Sequence, residues 1–386
     1  MAKLVAVIRG PNESLIGQPG SRSALTTPAL MLDLDVLEAN IASLAQHAQA
    51  HGYQVRPVAK VHKSVDIARR QVAAGGIGVC CSTLAESEAM VDAGIPGVML
   101  FTPVVTGPKL ERLAALAARA KDLIVVADDP ANVVQLADVG RRSGRPLTVL
   151  VDVEVGGRRT GVADVERAVA LARLVAETEG LEYGGLQGYV GDHQNTVGYD
   201  RRRTLSYELL QPLVRLVERL GAEGLAPRIV SGGGTGMHDF DHELGVLTEL
   251  QPGTYVLMDV NYRDTVMRRE EPHPFGAALS VRTTVISAAQ PGFVVTDAGI
   301  KKLDAIFGVE HPLILSGAPK GATYSLLGDD MGRIEFARPG DRLAVGDVVE
   351  VMPPHCYQTL CLYSHYHVVQ GDSLFDLWPV SARESW

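Results

Sequence analysis

The chain has 386 residues, a formal net charge of -9 at pH 7, 46% hydrophobic residues and 21% charged residues. This length predicts one large domain and a smaller one, and the composition, with 40 glycines and 21 prolines to supply turns, is that of a compact soluble protein. An acidic chain lacks the basic stripe that a phosphate backbone requires, so nucleic acid is excluded as the expected partner.

Cysteine usage and the N-terminus indicate the compartment. Cys80, Cys81, Cys356 and Cys361 have neither zinc-finger nor disulfide-framework spacing, which indicates reduced thiols. The N-terminal apolar stretch is too short for the core of a signal peptide, and no run of about 18 apolar residues occurs. We therefore expect a cytoplasmic protein without a membrane partner.

Apolar runs then alternate with helical patterns, after an arm containing Gly, Ser and Pro that ends near residue 23. The helical patterns are rich in Ala, Leu and Glu, as at 109–121 and 165–179. The strand-like runs lie at 28–33, 55–58, 77–81, 98–101, 123–127, 147–153, 183–190 and 228–230. A strand followed by a helix, repeated about eight times, predicts a (β/α)8 barrel, with an open doubly wound sheet as the alternative.

The pattern changes near residue 278 to β-branched, alternating runs with turn signals, at 280–286, 293–296, 342–351 and 360–369. Such runs are typical of an all-β domain. The predicted organisation is an arm at 1–24 associated with the β domain, a barrel at 25–270 and a C-terminal β domain at 271–386.

Lys60 is the first candidate for chemistry. It follows the strand-like run 55–58 and precedes a helix start at 64–67, which would place it at the carboxyl end of a barrel strand. Active sites of such barrels lie at that end. A lysine there loses hydration, so its free amine can condense with a carbonyl group, although a surface lysine is the alternative.

A glycine-rich stretch at 231–236, Ser-Gly-Gly-Gly-Thr-Gly, follows a strand-like run. Consecutive glycines let backbone N–H groups approach a phosphate closely, although an ordinary turn has the same composition. The sequence Gly253-Thr254-Tyr255 would complete such a cup with backbone amides and a hydroxyl group.

Other candidates follow further strands. Arg159 would give a charged hydrogen bond to a cofactor ring or a substrate carboxylate, and Tyr189 would pack on an aromatic ring beside Gln194. His62 and Asp297 are further candidates. For each of these residues a purely structural position is the alternative.

Several of these stretches together resemble the D-threonine aldolase and D-serine dehydratase-like family of alanine-racemase-type, fold-type III pyridoxal phosphate enzymes. They span nearly the whole chain in family order. The matching stretches are 27–35, 56–64, 78–81, 157–162, 231–236, 297–299 and 378–383.

The resemblance implies that Lys60 is the Schiff-base lysine and that the chain binds pyridoxal 5'-phosphate and forms a homodimer. The implied cofactor-binding residues are Lys60, Arg159, Tyr189, Gln194, Ser231, Gly233, Gly234, Thr235, Gly253 and Tyr255. The implied function is an aldolase that cleaves β-hydroxy-D-amino acids such as D-threonine to glycine and an aldehyde. The alternatives are a dehydratase acting on D-serine or 3-hydroxy-D-aspartate, a metal-independent racemase, and a non-catalytic cofactor carrier, which the presence of a β domain disfavours.

The resemblance also implies a divalent metal (Mn, Mg or Zn) between a histidine and an Asp or Cys two residues later. The matching positions here are His355 and Tyr357, and a neutral phenol is a poor ligand for a hard cation. The chain departs from the family again at Val58, Asn195 and 329–331. The expectation is therefore either a site on His355 with an unassigned second ligand, or a metal-free enzyme in which His355, His62 or Tyr357 serves in catalysis.

Overall fold

The computed structural model describes residues 9–305 and 311–383, which form two compact units. Of the described residues, the barrel unit comprises Ile41–Tyr255, Thr265–Pro274 and 381–383. The β unit comprises residues 9–40, 256–264, 275–305 and 311–380. None of the helices in the described part of the chain has the length and hydropathy needed to span a bilayer.

The first regular elements are strand β1 (Ala29–Asp33) and helix α1 (Leu34–His51). Eight parallel strands of the described chain then build the barrel: β2 (Gln54–Val55), β3 (Val79–Cys81), β4 (Val98–Leu100), β5 (Ile124–Ala127), β6 (Leu147–Asp152), β7 (Leu181–Gly188), β8 (Ile229–Gly232) and β9 (Glu249–Leu250). Their order is β2-β9-β8-β7-β6-β5-β4-β3, and a parallel bridge between Val58 and Cys80 joins the two ends. The barrel expected from the sequence is confirmed.

Helices follow most barrel strands: α2 (Val65–Ala73), α3 (Leu84–Asp92), α4 (Gly107–Arg119), α5 (Pro130–Ser143), α6 (Val165–Glu177) and α7 (Tyr199–Ala222). Their starts follow from local chemistry, because a side-chain oxygen before the first turn accepts an otherwise unpaired N–H group. Ser64, Asp129 and Asp164 do this, and Thr83 forms a capping box with Glu86.

The strand at 28–33 was expected to begin the barrel, but β1 lies in the sheet of the β unit. The eighth barrel strand is instead β9, which pairs with β2 and β8. The sequence pattern did not single out β9 because it is two residues long and one of them is Glu249, whose carboxylate is buried in an ion pair.

The β unit contains helix α8 (Val260–Arg263), strands β10 (Leu279–Ser287), β11 (Phe293–Thr296), β12 (Leu313–Ser316), β13 (Thr323–Leu327), β14 (Met331–Glu335) and β15 (Val348–Met352), helix α9 (Cys356–Cys361), and strands β16 (His365–Gln370) and β17 (Ser373–Pro379). The main path of its sheet is β13-β14-β11-β10-β1-β16-β17. Met31, Leu374 and Leu377 belong to a buried cluster on this sheet. The run at 360–369, expected to be all strand, begins with the end of α9.

Candidate active site

Lys60 lies in a short 3-10 turn, Ala59–Val61, at the carboxyl end of β2. Val58 still belongs to the barrel wall through its bridge to Cys80, so the chain leaves the wall just before Lys60. The Lys60 Nζ atom is 5.5 Å from the centre of the Phe101 ring, which follows β4. Lys60 therefore stands at the mouth of the barrel, half-buried beside an aromatic face.

The neighbouring lysine, Lys63, is bound to a partner inside the protein. Its Nζ atom donates to Glu86 Oε1, and both side chains are buried. The other oxygen of Glu86 accepts the backbone N–H of Ser82 at 2.7 Å. Because removing Lys63 would leave a buried carboxylate without its cation, we assign Lys63 a structural position and keep Lys60 as the candidate amine.

The glycine loop, residues 231–236, begins with the last two residues of β8 and adopts a shape that larger residues would prevent. Gly233 has φ +64°, and a Cβ on Gly234 would collide with the side-chain amide of Gln194. A Cβ on Gly236 would overlap the backbone oxygen of Gln194. These close approaches require glycine, because a Cβ at either position would displace Gln194.

Gln194 holds the glycine loop from the neighbouring loop after β7. Its Oε1 atom accepts the N–H of Gly236 at 3.0 Å, and its Nε2 atom donates to the carbonyl of Val190 at 2.8 Å. The side chain is 1% exposed. The amide group of Gln194 thus fixes the two loops to each other, and its predicted contact with the cofactor stays a prediction.

Thr235 joins the glycine loop to the segment after β9. Its Oγ1 atom accepts the N–H groups of Gly253 at 3.0 Å and Tyr255 at 3.2 Å. These two amides, expected to reach a phosphate directly, are therefore bonded to Thr235. The carbonyl of Thr235 in turn accepts the Nδ1–H of His238 at 2.7 Å.

Tyr255 is backed by a chain of neutral hydrogen bonds. Gln71 Nε2 donates to the Tyr255 hydroxyl oxygen at 2.9 Å, so the phenolic hydrogen is directed away from Gln71. Gln71 Oε1 pairs with His62 Nε2 at 3.2 Å, and His62 Nδ1 accepts the N–H of Ser64. Burial lowers the pKa of His62 to about 3, so the ring is neutral. His62, expected as a catalytic candidate, thus has a fully buried supporting position behind Tyr255.

Arg159 lies in the exposed loop after β6, and its guanidinium group is 5.4 Å from the centre of the Tyr189 ring. Glu154 fixes the start of this loop by accepting the N–H groups of Gly156 at 2.6 Å and Arg158 at 3.0 Å. Burial raises the pKa of Tyr189 to about 12, although the positive charge of Arg159 acts to lower it. A cation and a neutral aromatic ring therefore meet at this side of the barrel mouth.

A series of polar side chains crosses the barrel strands and includes Ser231. The Ser231 hydroxyl donates to Glu249 Oε1 at 2.6 Å and accepts from Gln251 Nε2 at 2.8 Å, so it is hydrogen-bonded inside the barrel, and its predicted contact with the cofactor stays a prediction. We call this series the barrel polar chain; its members are Arg56, Glu249, Ser231, Gln251, Gln187, Asp152 and Thr160.

The remaining predicted residues lie in the β unit. Asp297 accepts the Thr283 hydroxyl at 2.6 Å and the Thr27 hydroxyl at 2.6 Å, so its carboxylate holds strands together. His355 precedes α9, and its ring lies 4.2 Å from that of Tyr357, edge to face.

The donor set around His355 does not fit the metal site that the family resemblance implied. Burial raises the pKa of Cys356 well above its usual value, and the neighbouring Asp259 carboxylate raises it further. Within residues 9–305 and 311–383, no group of three His, Cys, Asp or Glu side chains could hold a metal ion. A site on His355 would therefore need ligands that these residues do not provide.

Sequence reasoning missed residues that support the site from within. Gln71 and Arg202 are 3% and 1% exposed, although both lie on helices where polar residues usually face solvent. Arg202 donates to the carbonyls of Gly236, Thr196 and Val266. A polar residue inside an apolar strand could have indicated the barrel polar chain. Nothing in the sequence distinguished Gln71 or Arg202 from the solvent-exposed polar residues of their helices.

Comparison with known proteins now decides the family. The protein-family model described as "Alanine racemase, N-terminal domain" matches residues 32–260. A second family model, described as "Putative serine dehydratase domain", matches residues 278–369. A D-threonine aldolase from Arthrobacter sp is 35% identical over 378 residues, covering 98% of each chain. The chain belongs to the D-threonine aldolase-like family of alanine racemase-type enzymes.

Further members of the D-threonine aldolase-like family agree. A 3-hydroxy-D-aspartate aldolase from Paracoccus denitrificans (strain Pd 1222) is 34% identical and covers 95% of this chain and 94% of its own. The crystal structure of D-threonine aldolase from Filomicrobium marinum has a TM-score of 0.88 at 34% identity, covering 94% of this chain and 96% of that one. The family and the fold expected from the sequence are confirmed, and the chain is an enzyme of the D-threonine aldolase type, in a family that uses pyridoxal phosphate.

Proposed function

We propose that this protein is a pyridoxal phosphate-dependent aldolase that cleaves β-hydroxy-D-amino acids, such as D-threonine, to glycine and an aldehyde. Full-length similarity to two aldolases with β-hydroxy-D-amino acids in their names supports the reaction class. The observation that carries the proposal is the pairing of a glycine loop with a barrel-mouth lysine, Lys60, whose neighbour Lys63 is bound to Glu86.

The residues of the barrel mouth fit the cofactor. The consecutive glycines 232–234 let backbone N–H groups approach a phosphate closely, and the Tyr255 hydroxyl is held in place by Gln71. Arg159 and Tyr189 offer a guanidinium fork and an aromatic face for the ring. Pyridoxal phosphate supplies an electron sink for the electron pair left at the substrate α-carbon.

The protein's own residues then bind and orient. Lys60 would hold the cofactor through its side-chain amine, at a half-buried position beside Phe101. Arg159 provides a charged hydrogen bond either to the cofactor ring or to the substrate carboxylate. The proton of the β-hydroxyl group needs a base, and His355 and Tyr357 stay the predicted residues for it. No step is assigned to a metal, because the described donor set does not fit one.

The protein is also proposed to act as a homodimer in the cytoplasm. The family resemblance supports the dimer, and size-exclusion chromatography with light scattering tests it. The four cysteines all lie in described residues and form no disulfide, which supports a reducing compartment.

The decisive experiment incubates the enzyme with D-threonine and measures glycine, keto acid and the α-inverted isomer separately. We expect glycine and an equal amount of aldehyde from the native protein, and none from Lys60→Ala. Keto acid with ammonia and no glycine would make the protein a dehydratase. An inverted α-carbon alone would make it a racemase, and bound cofactor without any product would make it a carrier.

A further inference from the structure

A buried carboxyl group beneath the glycine loop takes no part in the function proposed above. Asp241 follows the loop and is 0% exposed. Its Oδ1 atom accepts the hydroxyl of Ser206 at 2.6 Å. Its Oδ2 atom receives no hydrogen bond from any residue that the structure describes. A carboxylate buried with one unbonded oxygen is costly, so the neutral acid is favoured at this position.

Asp241 lies directly against the glycine loop. A Cβ built on Gly233 would be 2.9 Å from Asp241 Oδ2 and 3.6 Å from Asp241 Cβ, so the two residues are in contact through the space that the glycine leaves open. Any negative charge held by the backbone of the glycine loop would therefore lie close to this carboxyl group. Two like charges sharing a buried site cannot both persist, and the protonated form of one is favoured.

The groups facing Asp241 do not cancel its charge. Arg202, from α7, lowers the pKa of Asp241, but its guanidinium group donates to three backbone carbonyls. Tyr189 and Tyr53 interact electrostatically with Asp241, but their pKa values are raised, so both phenols are neutral at pH 7. His242 and Glu243, the charged or titratable residues of the same turn, follow directly in sequence. Burial dominates and raises the pKa of Asp241 to about 7.

We propose that Asp241 is a proton-linked positioning residue of the cofactor site: it is charged in part when the glycine loop is empty and becomes neutral when the loop holds a phosphate. This inference rests on the proposed function for the identity of the phosphate group. Binding of the phosphate dianion then takes up a proton at Asp241, and the neutral carboxyl group can remain beneath the loop without repelling the ligand.

The linkage has a definite sign. Below about pH 7 Asp241 is already protonated, and binding requires no further proton. Above that pH each binding event must take up one proton, so the dissociation constant rises by up to about tenfold per pH unit. The phosphate itself loses its second proton near pH 6, so it is almost entirely a dianion above about pH 7, where the affinity is expected to change.

The test uses the apoprotein and pyridoxine 5'-phosphate, which carries the phosphate but has no aldehyde and cannot react with Lys60. Calorimetric titrations from about pH 6.5 to about pH 9, in two buffers of different ionisation enthalpy, give the affinity and the protons taken up. We expect affinity to fall with rising pH and uptake to approach one proton. Asp241→Asn, a neutral isostere, should bind with little pH dependence and no uptake. Inorganic phosphate should show the native slope, and pyridoxine without phosphate should show none.

Asp239→Asn is the matched control. Asp239 lies two residues away in the same turn region, and its Oδ2 atom accepts the N–H of Arg269 at 3.1 Å and also the Tyr199 hydroxyl. This variant should keep the native slope. Two results would overturn the inference and leave the proposed cofactor site standing. One is tight binding by the native protein with a flat pH profile and no proton uptake, and the other is a native slope in Asp241→Asn. No binding of pyridoxine 5'-phosphate at any pH would overturn the proposed cofactor site as well.

Discussion

Replacing Arg56 with Met tests how much of the barrel depends on the barrel polar chain. Arg56 and Glu249 are joined by two nitrogen–oxygen distances of 2.8 Å, and their side chains are 5% and 2% exposed. Removing one partner of such a pair leaves a charge in the interior, and the free energy of unfolding should fall by about 3–5 kcal/mol. Arg228 and Glu182 form an exposed pair, also at 2.8 Å, where the same change should cost about 1 kcal/mol or less.

The assay is urea denaturation followed by circular dichroism, comparing the midpoints of Arg56→Met and Arg228→Met. A second variant, Arg56→Met with Glu249→Gln, removes the stranded charge while an amide oxygen still accepts from Ser231. We expect it to recover part of the loss, since the bonds from Arg56 to the carbonyls of Gly97 and Ile77 stay broken. Equal losses at the buried and exposed pairs, or no recovery in the double variant, would refute the reasoning.

Four further outcomes follow from the structure. Lys60→Ala should abolish the visible absorption of bound cofactor, whereas Lys63→Ala should keep it and lower the unfolding midpoint; the reverse pattern would reassign the amine. Dialysis against EDTA should leave glycine release from D-threonine unchanged, and loss restored by added Mn²⁺ would contradict the donor set at His355. Gly236→Ala should weaken cofactor retention measured by filtration, because its Cβ overlaps Gln194, whereas Gly221→Ala, in open space on α7, should not. Burial lowers the pKa of His47 to about 4, so the unfolded chain binds a proton there first and stability is lost as the pH falls from about 6.5 to about 4; His47→Gln should flatten this part of the urea-midpoint profile, and an unchanged profile would exclude His47 as the cause.

The barrel was predictable because parallel strands buried on both faces are continuous apolar runs. Strands β3 to β6 all contain such runs. The first strand was misplaced because β1 has the same apolar composition, with four of its five residues buried, but pairs with β10 and β16. The sequence pattern indicates which strand residues are buried, but it does not specify which sheet provides the partner strands.

The site was predictable only where backbone chemistry restricts the residue type. The glycine loop could be found because positive φ at Gly233 and the contacts at Gly234 and Gly236 exclude side chains. The roles of Gln194 and Thr235 could not, because each depends on a partner about twenty to forty residues away in the sequence, brought close only by the fold. A polar side chain near a cofactor loop has the same appearance in sequence whether it contacts the ligand or the loop.

Two buried histidines, His238 beside the glycine loop and His62 behind Tyr255, are neutral at pH 7. His238 donates from Nδ1 to the Thr235 carbonyl and accepts from Arg268 Nε at Nε2, and burial lowers its pKa well below the usual value. His62 is neutral in the same way. Since neither ring gains a charge between pH 6.5 and 9, backbone N–H groups would attract the phosphate with a strength that hardly changes over this range. A pH dependence of phosphate affinity there must then come from another titrating group, and Asp241 lies against the loop.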